Sequence, residues 1–495
     1  MTPDIQAVSL RSATADIVIR FVPQDKPALR SEIKLLTPVI GAQVRRVTDL
    51  GDFAGKTGET AVLYPSRAQA FRRVLLVGLG MQRSIRAESI RRAAATAMKR
   101  VRSLRAESAV VFVPATGMKR DDVVSALTEG ALLASYRYDK YRTTKDEEDG
   151  PPLSRLTFAL ERRSHLAGAR KAMTRAAIVS HATMLARDLG NAPAGEVYPE
   201  TLAAAAEESA HRCGYSATIL NESQIRELGM GGVLAVAQGS SRPPRFITLE
   251  YGRKEKKPVV LVGKGVCFDS GGISIKPSAG MAEMKMDMAG AAAVIGTFEA
   301  VAQLKLPVHL VGLIPAVENM PSGSAIKPGD IIRHLNGKTS EVDNTDAEGR
   351  LILADALSYA ERYRPAAVID LATLTGAVVV ALGHHATGMM GTDRPLMNRL
   401  RDAGTATYER VWELPLFDEY EKLIRSDVAD VKNVGGRWAG AITAGWFLRK
   451  FIGKYPWVHL DIAGTAIIED AGEYVPKGAS GVGVRLLTEF LRRWK

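Results

Sequence analysis

The N-terminal third of the chain alternates short apolar runs with stretches of helical periodicity. The apolar runs are ADIVIRFV from Ala15, TAVLYPS from Thr60, RRVLLVGLG from Arg72, SAVVFVP from Ser108 and LTFALERR from Leu156. Runs of this length that are rich in β-branched and aliphatic residues predict strands. Because strands alternate with helices, the pattern indicates an α/β domain.

From Phe246 onward the apolar runs are bounded by glycine-rich loops and separated by helical segments. They are FITLEY, PVVLVGKGVCFD, VHLVGLIPA and AAVIDLATLTG, and the segment RLILADALSYAERY has helical periodicity. Apolar strands of this kind predict a central mixed, largely parallel sheet that is covered by helices on both faces. Sites in such sheets lie at the carboxyl ends of strands, so the loops after VVLVGKGVCFD and before RLILADAL are expected to carry the chemistry.

The domain boundary is predicted near residue 165. The segment YRYDKYRTTKDEEDGPP at residues 136–152 is charged and ends in a double proline, as expected of an exposed segment near a domain edge. A helix is predicted from Ala167 to about Leu189, where the GNAP turn ends it. The expected fold is a two-domain α/β protomer, with a smaller basic N-terminal domain at 1–165 and a larger catalytic domain at 166–495.

The composition is that of a globular protein with no membrane segment. The 495 residues are 46% hydrophobic and 24% charged, and the start MTPDIQAVSLRSA has no apolar core of a signal peptide. The longest apolar run, LATLTGAVVVALG, is short of the roughly 20 residues that span a bilayer. Cys213 and Cys267 form no ligand cluster and no disulfide framework. These features predict a cytoplasmic protein.

The net charge of +12 is concentrated in residues 1–165, which hold 28 Lys and Arg against 18 Asp and Glu. Between Arg83 and Arg105 the apolar residues recur at helical spacing, and a set of basic residues lies largely outside this apolar stripe. That set is Arg91, Arg92, Lys99, Arg100 and Arg102. Two interpretations remain open: a solvated helix face, or a surface that binds a polyanion such as double-stranded DNA.

Four carboxylates lie where apolar elements begin or end: Asp269, Asp287, Asp346 and Glu348. Burying them unpaired would cost many kcal/mol. Lys264, Lys276 and Arg350 lie in the same segments, so an ion-pair network is one solution. Three cations for four acids leave negative charge that suits Mn²⁺, Zn²⁺ or Mg²⁺. Two such ions about 3.5–4 Å apart would share a water and convert it to hydroxide near neutral pH.

The segment NTDAEGRL at residues 344–351 resembles the signature octapeptide of the leucyl (cytosol) aminopeptidase family. VGKGVCFDSGGISIKPS and MKMDMAGAA resemble its other metal-binding segments, and the resemblance extends over residues 180 to 490 through ARDLGNAPAGEVYPETL, DLATLTGA, ALGHHATGMMG, DVADVKNVGGRWAGAITA and HLDIAGTA. It implies a bacterial-type dinuclear metallo-aminopeptidase that hydrolyses the N-terminal peptide bond of peptides, with a preference for leucine-like residues. It also implies a homohexamer with active sites facing an interior cavity.

The resemblance implies the ligands of both ions. One ion is expected on Asp269, Asp346 and Glu348. The other is expected on Lys264, Asp269, Asp287 and Glu348. Lysine binds a metal only when its amine is neutral, and adjacent cations together with desolvation lower the pKa of such a group. The alternative is that Lys264 forms a salt bridge to Asp269.

The catalytic and substrate-binding roles also follow from the resemblance. Lys276 is expected to stabilise the oxyanion of the tetrahedral species, and Arg350 to bind a bicarbonate that acts as general base. The expected substrate-binding residues are Lys276, Met284, Asn344, Thr373, Leu374 and Gly376. Met284 would supply a soft apolar wall, although plain core packing is the alternative. The adjacent His384 and His385 are interpreted as structural.

Two other functions are compatible with parts of the sequence. The basic N-terminal domain could make the protein a DNA-binding architectural or regulatory protein, alone or alongside peptidase activity. A two-metal phosphatase is disfavoured, because beyond Lys276 and its glycines no phosphate-cradling loop is present.

Overall fold

The computed structural model describes residues 2–65, 69–144 and 153–494. The chain separates into two units, Met1–His181 with Asp470–Pro476, and Ala182–Glu469 with Lys477–Lys495. Each unit has its own sheet and its own helices, which confirms the predicted two-domain α/β fold with a smaller N-terminal and a larger C-terminal domain. The boundary predicted near residue 165 falls at the start of a long helix, and the division lies inside that helix.

The N-terminal unit contains a six-stranded sheet in the order β1-β6-β5-β2-β4-β3. Its strands are β1 Pro3–Ala7, β2 Ala15–Pro23, β3 Thr60–Leu63, β4 Phe71–Gly80, β5 Ser108–Phe112 and β6 Arg155–Leu160. Its helices are α1 Lys26–Asp49, α2 Ala87–Ser103, α3 Arg120–Ser135 and α4 Leu166–Asn191, which continues past the division. Neighbouring strands in this sheet are parallel except for β3 and β4. The five predicted strands are confirmed, and β1 was missed.

Strand β2 shows why this sheet is covered on both faces. Its side chains alternate in direction, as they do in every strand. Ile17, Ile19 and Phe21 pack in one buried cluster with residues of α2 and α3. Val18 and Val22 pack in a second cluster with residues of α1. An apolar strand with two buried faces therefore has helices on each side.

The C-terminal unit is built from fourteen strands and ten further α-helices in the described residues. The strands are β7 Ser216–Leu220, β8 Arg245–Gly252, β9 Val259–Gly263, β10 Gly265–Asp269, β11 His309–Asn319, β12 Ile331–Arg333, β13 Thr339–Glu341, β14 Ala367–Ala372, β15 Thr387–Gly391, β16 Val411–Glu413, β17 Val431–Lys432, β18 Trp457–Asp461, β19 Ile467–Ile468 and β20 Gly478–Ala479. The helices are α5 Pro199–Cys213, α6 Glu222–Glu227, α7 Gly231–Ala237, α8 Ala289–Gln303, α9 Gly349–Ala360, α10 Gly376–Leu382, α11 Arg394–Thr407, α12 Gly440–Arg449, α13 Ala463–Ala466 and α14 Val484–Arg492.

The large sheet of this unit is mixed and largely parallel, as predicted. Its order is β16-β15-β18-β14-β9-β11-β8-β7, and β10 pairs with β11 off this path. The central pairs β18–β14, β14–β9 and β9–β11 are parallel, and antiparallel pairs lie toward the edges. On β11, Val311 and Leu313 pack in the cluster that includes α9, whereas Gly312 approaches Phe298 of α8. Both faces are therefore covered.

The run PVVLVGKGVCFD was predicted as a single strand, and this is wrong. Strand β9 pairs with β14 and β11, whereas β10 pairs only with β11. Lys264 lies between them, with its N–H donating to the carbonyl of Leu371 and its carbonyl accepting from Ala291. The chain shifts within the sheet at Lys264, which places this side chain at the carboxyl end of β9.

Among the described helices, none has the length and apolar character required to cross a membrane.

Candidate metal and active site

The four predicted carboxylates lie at the carboxyl end of the large sheet and before two helices. Asp269 ends β10, Asp287 follows the 3-10 helix Met281–Met286 and precedes α8, and Asp346 and Glu348 precede α9. Asp269, Asp287 and Glu348 are 3%, 7% and 2% exposed. One carboxylate oxygen from each of Asp269, Asp346 and Glu348 lies within 4.8 Å of the others. Segments about 80 residues apart are thus brought to one point.

Two lysines pair with these carboxylates. Lys264 Nζ lies 2.7 Å from Asp287 Oδ2 and 2.8 Å from Glu348 Oε1. Lys276 Nζ lies 2.8 Å from Asp269 Oδ2 and 2.6 Å from Asp346 Oδ1. Two ammonium groups therefore face four carboxylates. The Lys264 ammonium pairs with Asp287 and Glu348, and not with Asp269, which was the partner in the alternative to metal binding.

Burial acts against charge in this cluster. It raises the pKa of the Asp287, Asp346 and Glu348 carboxyls above their ordinary values. For Lys264, burial lowers the pKa, but the surrounding carboxylates outweigh it and the pKa is raised. The same balance raises the pKa of Lys276. The carboxylates hold protons on both lysines, and the remaining negative charge favours additional cations.

The residues present fit divalent ions. Glu348 Oε2 is buried and has no hydrogen-bond partner among the described residues. A Cβ on Gly349 would lie 2.5 Å from Cε of Lys264, and a Cβ on Gly271, whose φ is +88°, would lie 2.9 Å from Asp346 Oδ1. The glycines therefore allow the backbone to approach the ligand side chains closely. Carboxylate oxygens with one amine are ligands that Mn²⁺ and Zn²⁺ accept.

Asn319, which was not among the predicted site residues, positions Asp269. Its Nδ2 donates to Asp269 Oδ1 at 2.8 Å and to the carbonyl of Thr345 at 3.0 Å, and the residue is 1% exposed. Asn319 ends β11 directly beside Asp269 at the end of β10. A polar residue at the end of an apolar strand was the available signal, because adjacent parallel strands end at the same edge.

Arg350 and Asn344 lie outside the lining of the pocket. Arg350 is 7% exposed, in the first turn of α9, and its Nη1 donates to the carbonyl of Asn433 at 2.7 Å. Burial lowers the pKa of Arg350 to about 10. Asn344 Oδ1 accepts from the N–H of Asp346 at 2.8 Å, which shapes the turn that carries the ligand.

A cavity of about 330 Å³ opens at the carboxylates. It brings together the remaining predicted site residues, which are Lys264, Asp269, Lys276, Met284, Asp287, Asp346, Glu348, Thr373, Leu374 and Gly376. Met284 lines this cavity rather than the core. The other lining residues were not predicted from the sequence, and they are Glu283, Met286, Thr375, Val379, His384, Ala463, Ile467 and Glu469.

The segment after β14 forms one wall of the cavity and is fixed from two sides. Thr373 Oγ1 donates to Asp287 Oδ1 at 2.7 Å, and the carbonyl of Thr373 accepts from Lys264 Nζ at 2.9 Å. Asp461, fully buried on β18, accepts from the N–H of Leu374 and from the hydroxyl of Thr375. His384 bonds through Nδ1 to the carbonyl of Gly464 at 2.8 Å, so this histidine, interpreted as structural, also lies in the lining.

The fold and the site together define a two-domain α/β enzyme whose buried carboxylates converge on a pocket suited to divalent ions. The profile "Cytosol aminopeptidase family, catalytic domain" matches residues 184–488, and the profile of the N-terminal domain of the same family matches residues 18–145. The chain belongs to the cytosol aminopeptidase family. It is a metal-dependent aminopeptidase, and the resemblance found in the sequence is confirmed.

Similar proteins cover nearly the whole chain. A probable cytosol aminopeptidase of Syntrophotalea carbinolica is 49% identical over 95% of this chain and 94% of its own length. One from Geobacter sulfurreducens is 45% identical over 95% of both chains. A mutant of tomato leucine aminopeptidase has a TM-score of 0.87 at 32% identity and covers 100% of this chain and 97% of its own. The bottromycin maturation enzyme BotP in complex with Mn has a TM-score of 0.86 at 36% identity, with 97% and 99% covered.

Proposed function

We propose that this aminopeptidase binds two divalent ions and removes leucine-like N-terminal residues from peptides. The observation that carries the proposal is the convergence of Asp269, Asp346 and Glu348 within 4.8 Å at the end of a pocket. Two lysines leave this cluster short of positive charge. A cluster with excess buried carboxylate is stabilised by metal ions that bind between its members.

The ligand sets are those that the sequence suggested. Asp269, Asp346 and Glu348 would hold one ion, and Lys264, Asp269, Asp287 and Glu348 would hold the other. The second set requires Lys264 to lose the proton that Asp287 and Glu348 now stabilise, so metal binding releases a proton. When bound, the ions would supply a hydroxide nucleophile near neutral pH and would polarise the scissile carbonyl. The BotP structure in complex with Mn supports Mn²⁺, with Zn²⁺ and Mg²⁺ as the alternatives.

Lys276 and Arg350 would act on the reacting groups. The Lys276 side chain is 21% exposed and lines the cavity, so its ammonium can stabilise an oxyanion that forms only in the transition state. Arg350 Nε is buried without a hydrogen-bond partner among the described residues. A free donor on a buried guanidinium supports the binding of a planar anion such as bicarbonate, whose role would be that of general base.

The apolar part of the cavity would select the side chain. Met284, Met286, Val379, Ala463 and Ile467 line it beside the carboxylates. A side chain of leucine size would bury against the two methionines, whose flexible thioethers adapt to branched groups. The preference for leucine-like residues therefore rests on the character of this wall.

The test combines metal removal with substitution. After exhaustive chelation we expect hydrolysis of leucyl amide to stop and to return with Mn²⁺. Glu348→Ala should abolish turnover, and Lys276→Ala should lower kcat by about 100- to 1,000-fold because one oxyanion donor is lost. Lys256→Ala is the matched control, because the Lys256 ammonium donates to the carbonyl of Pro307 and does not line the cavity. Activity that survives chelation would contradict the proposal.

We further propose a homohexamer and a cytoplasmic location, as the sequence suggested. The C-terminal unit exposes several large apolar side chains, which are Val380 at 90%, Trp438 at 74%, Trp412 at 65% and Phe417 at 62%. Exposed apolar groups of this size are typical of surfaces that associate. Sedimentation velocity should give a single species of six chains, and a monomer at micromolar concentration would contradict this part.

A further inference from the structure

The side chain of Asn433 holds the loop that carries two of the metal ligands. Asn433 follows β17 and is fully buried. Its Oδ1 accepts from the N–H groups of Asp343 at 2.8 Å and Asn344 at 3.3 Å. Its Nδ2 donates to the carbonyls of Asn344 at 2.7 Å and Ala347 at 3.3 Å. The Asn433 side chain therefore makes all four hydrogen bonds of an amide to this loop.

The main chain of Asn433 holds Arg350. Its carbonyl accepts from Arg350 Nη1 at 2.7 Å, and its N–H donates to the carbonyl of Glu341 on β13 at 2.9 Å. Arg350 Nε has no hydrogen-bond partner among the described residues. Asn433 thus orients the guanidinium of Arg350 through Nη1, and Nε can donate to a ligand.

One buried residue therefore connects Arg350 to the loop on which Asp346 and Glu348 lie. Asn319, by contrast, bonds to Asp269 and Thr345 and not to Arg350. A displacement of about 1 Å in a catalytic group lowers rates by about 100-fold. A residue that fixes the loop and the guanidinium together sets their relative position.

We propose that Asn433 is a positioning residue that places the guanidinium of Arg350 relative to Asp346 and Glu348. The proposal rests on the proposed function, and it assigns Asn433 a role through Arg350 rather than in folding alone. Loss of its side chain then disturbs turnover more than the binding of substrate, because the affected contacts are to the catalytic loop and not to the apolar wall of the cavity.

A double-mutant cycle separates this role from a structural one. Asn433→Ser should lower kcat for leucyl amide by about 100-fold and change KM little. On an Arg350→Met background the same substitution should lower kcat by less than about threefold, because the group through which Asn433 acts is gone. A structural role would give the same loss on both backgrounds, and that result would overturn the proposal.

Two further measurements keep the test decisive. Mn²⁺ titration of every variant, with assays at saturating Mn²⁺, separates lost turnover from lost metal. If Asn433→Ser does not fold, the nearly isosteric Asn433→Asp keeps the two acceptor contacts and removes the two donors. Asn336→Asp, at an exposed asparagine that caps a local turn, is the matched control and should leave kcat unchanged. A wild type without aminopeptidase activity would refute the proposed function, whereas normal turnover in Asn433→Ser would refute only this inference.

Discussion

Each unit of the protein buries a cluster of charged side chains, and the two clusters differ in balance. In the N-terminal unit, Arg91 bonds to Glu129 at 2.5 Å and to Glu88 at 3.2 Å, and Arg92 bonds to Glu88 at 2.9 Å. Two guanidinium groups meet these two largely buried carboxylates, and Arg92 also lies 3.9 Å from the exposed Glu473. In the C-terminal unit, two ammonium groups meet four carboxylates. In the first cluster each largely buried carboxylate has a guanidinium partner, whereas the second has more buried carboxylates than lysines and therefore has capacity for cations.

The difference shows what makes buried charge indicate a function. A balanced network is explained by packing two helices, here α2 and α3, and requires no ligand. In the unbalanced cluster, burial and the neighbouring Asp269 carboxylate raise the pKa of Glu348, and Glu348 Oε2 has no hydrogen-bond partner among the described residues. An excess of one sign, together with unpartnered atoms in a pocket, is therefore the stronger indication of a bound ion.

The largest effect on stability is expected from Arg91→Met in the N-terminal cluster. The substitution removes the positive charge that pairs with Glu129 and Glu88, at a position where Arg91 is 5% exposed. Removing one partner of a buried ion pair costs about 3–5 kcal/mol. We expect the thermal midpoint of the N-terminal unit, followed by calorimetry, to fall by roughly 10 °C.

The control for this change lies on the same helix. Arg100 is exposed, and among the described residues its guanidinium bonds to the hydroxyl of nearby Ser103 rather than to a carboxylate. Arg100→Met should change the free energy of unfolding by less than about 0.5 kcal/mol. Equal effects of the two substitutions would show that the Arg91 network is not a stabilising cluster.

The sequence predicted the carboxylates of the site because their signal is local. Asp269 follows an apolar strand, and the segment NTDAEGRL precedes a helix, so each side chain could be placed at an element end. The parallel sheet then brings those ends together. In the same way, apolar runs predicted β2 to β6 of the N-terminal sheet and β8, β9, β11 and β14 of the large sheet. They did not predict β7, β15, β16 and β18, or short β1, which carries two polar residues among its five.

The remaining parts of the site depend on contacts that distant segments make only after folding. Asn319 and Asn433 are single amides whose role is visible only in their partners, although Asn433 lies in a segment that resembles the family. Strands β9 and β10 separate at Lys264 because β9 pairs with β14 whereas β10 pairs with β11. The hydrophobic pattern of the segment does not reveal these pairings. His384 reaches the pocket through a bond to Gly464, 80 residues further along the chain.

A smaller effect is expected at a balanced pair within the C-terminal unit. His459 is buried, and its Nδ1 lies 2.5 Å from Asp370 Oδ1. Burial lowers the pKa of His459, but Asp370 and Asp461 outweigh burial and Arg350, so the pKa is raised above 6.5. The stabilisation is therefore full below pH 6.5 and is lost as the pH rises through the raised value.

We expect His459→Gln to lower the free energy of unfolding by about 2 kcal/mol in acid-side conditions near pH 6, because a hydrogen bond between charged groups is lost. The difference from wild type should shrink as the pH is raised to about 9. His385→Gln, at an exposed histidine, should show no such dependence. If the difference in free energy of unfolding between variant and wild type stayed constant from pH 6 to about 9, His459 would be neutral. The pair with Asp370 would then not be an ion pair.

The smallest effect is expected for duplex DNA. The basic set predicted on α2 is not a uniform solvated stripe, because Arg91 and Arg92 pair with carboxylates and Lys99 donates to the carbonyl of Gly472 in the same unit. Paired cations release few counterions when a phosphate approaches. Fluorescence anisotropy with a labelled duplex over a salt series should give a slope of log K against log salt shallower than about −2. A slope near −5 in wild type, together with a shallower slope in Arg100→Glu, would contradict this expectation and would establish a phosphate-binding surface on α2.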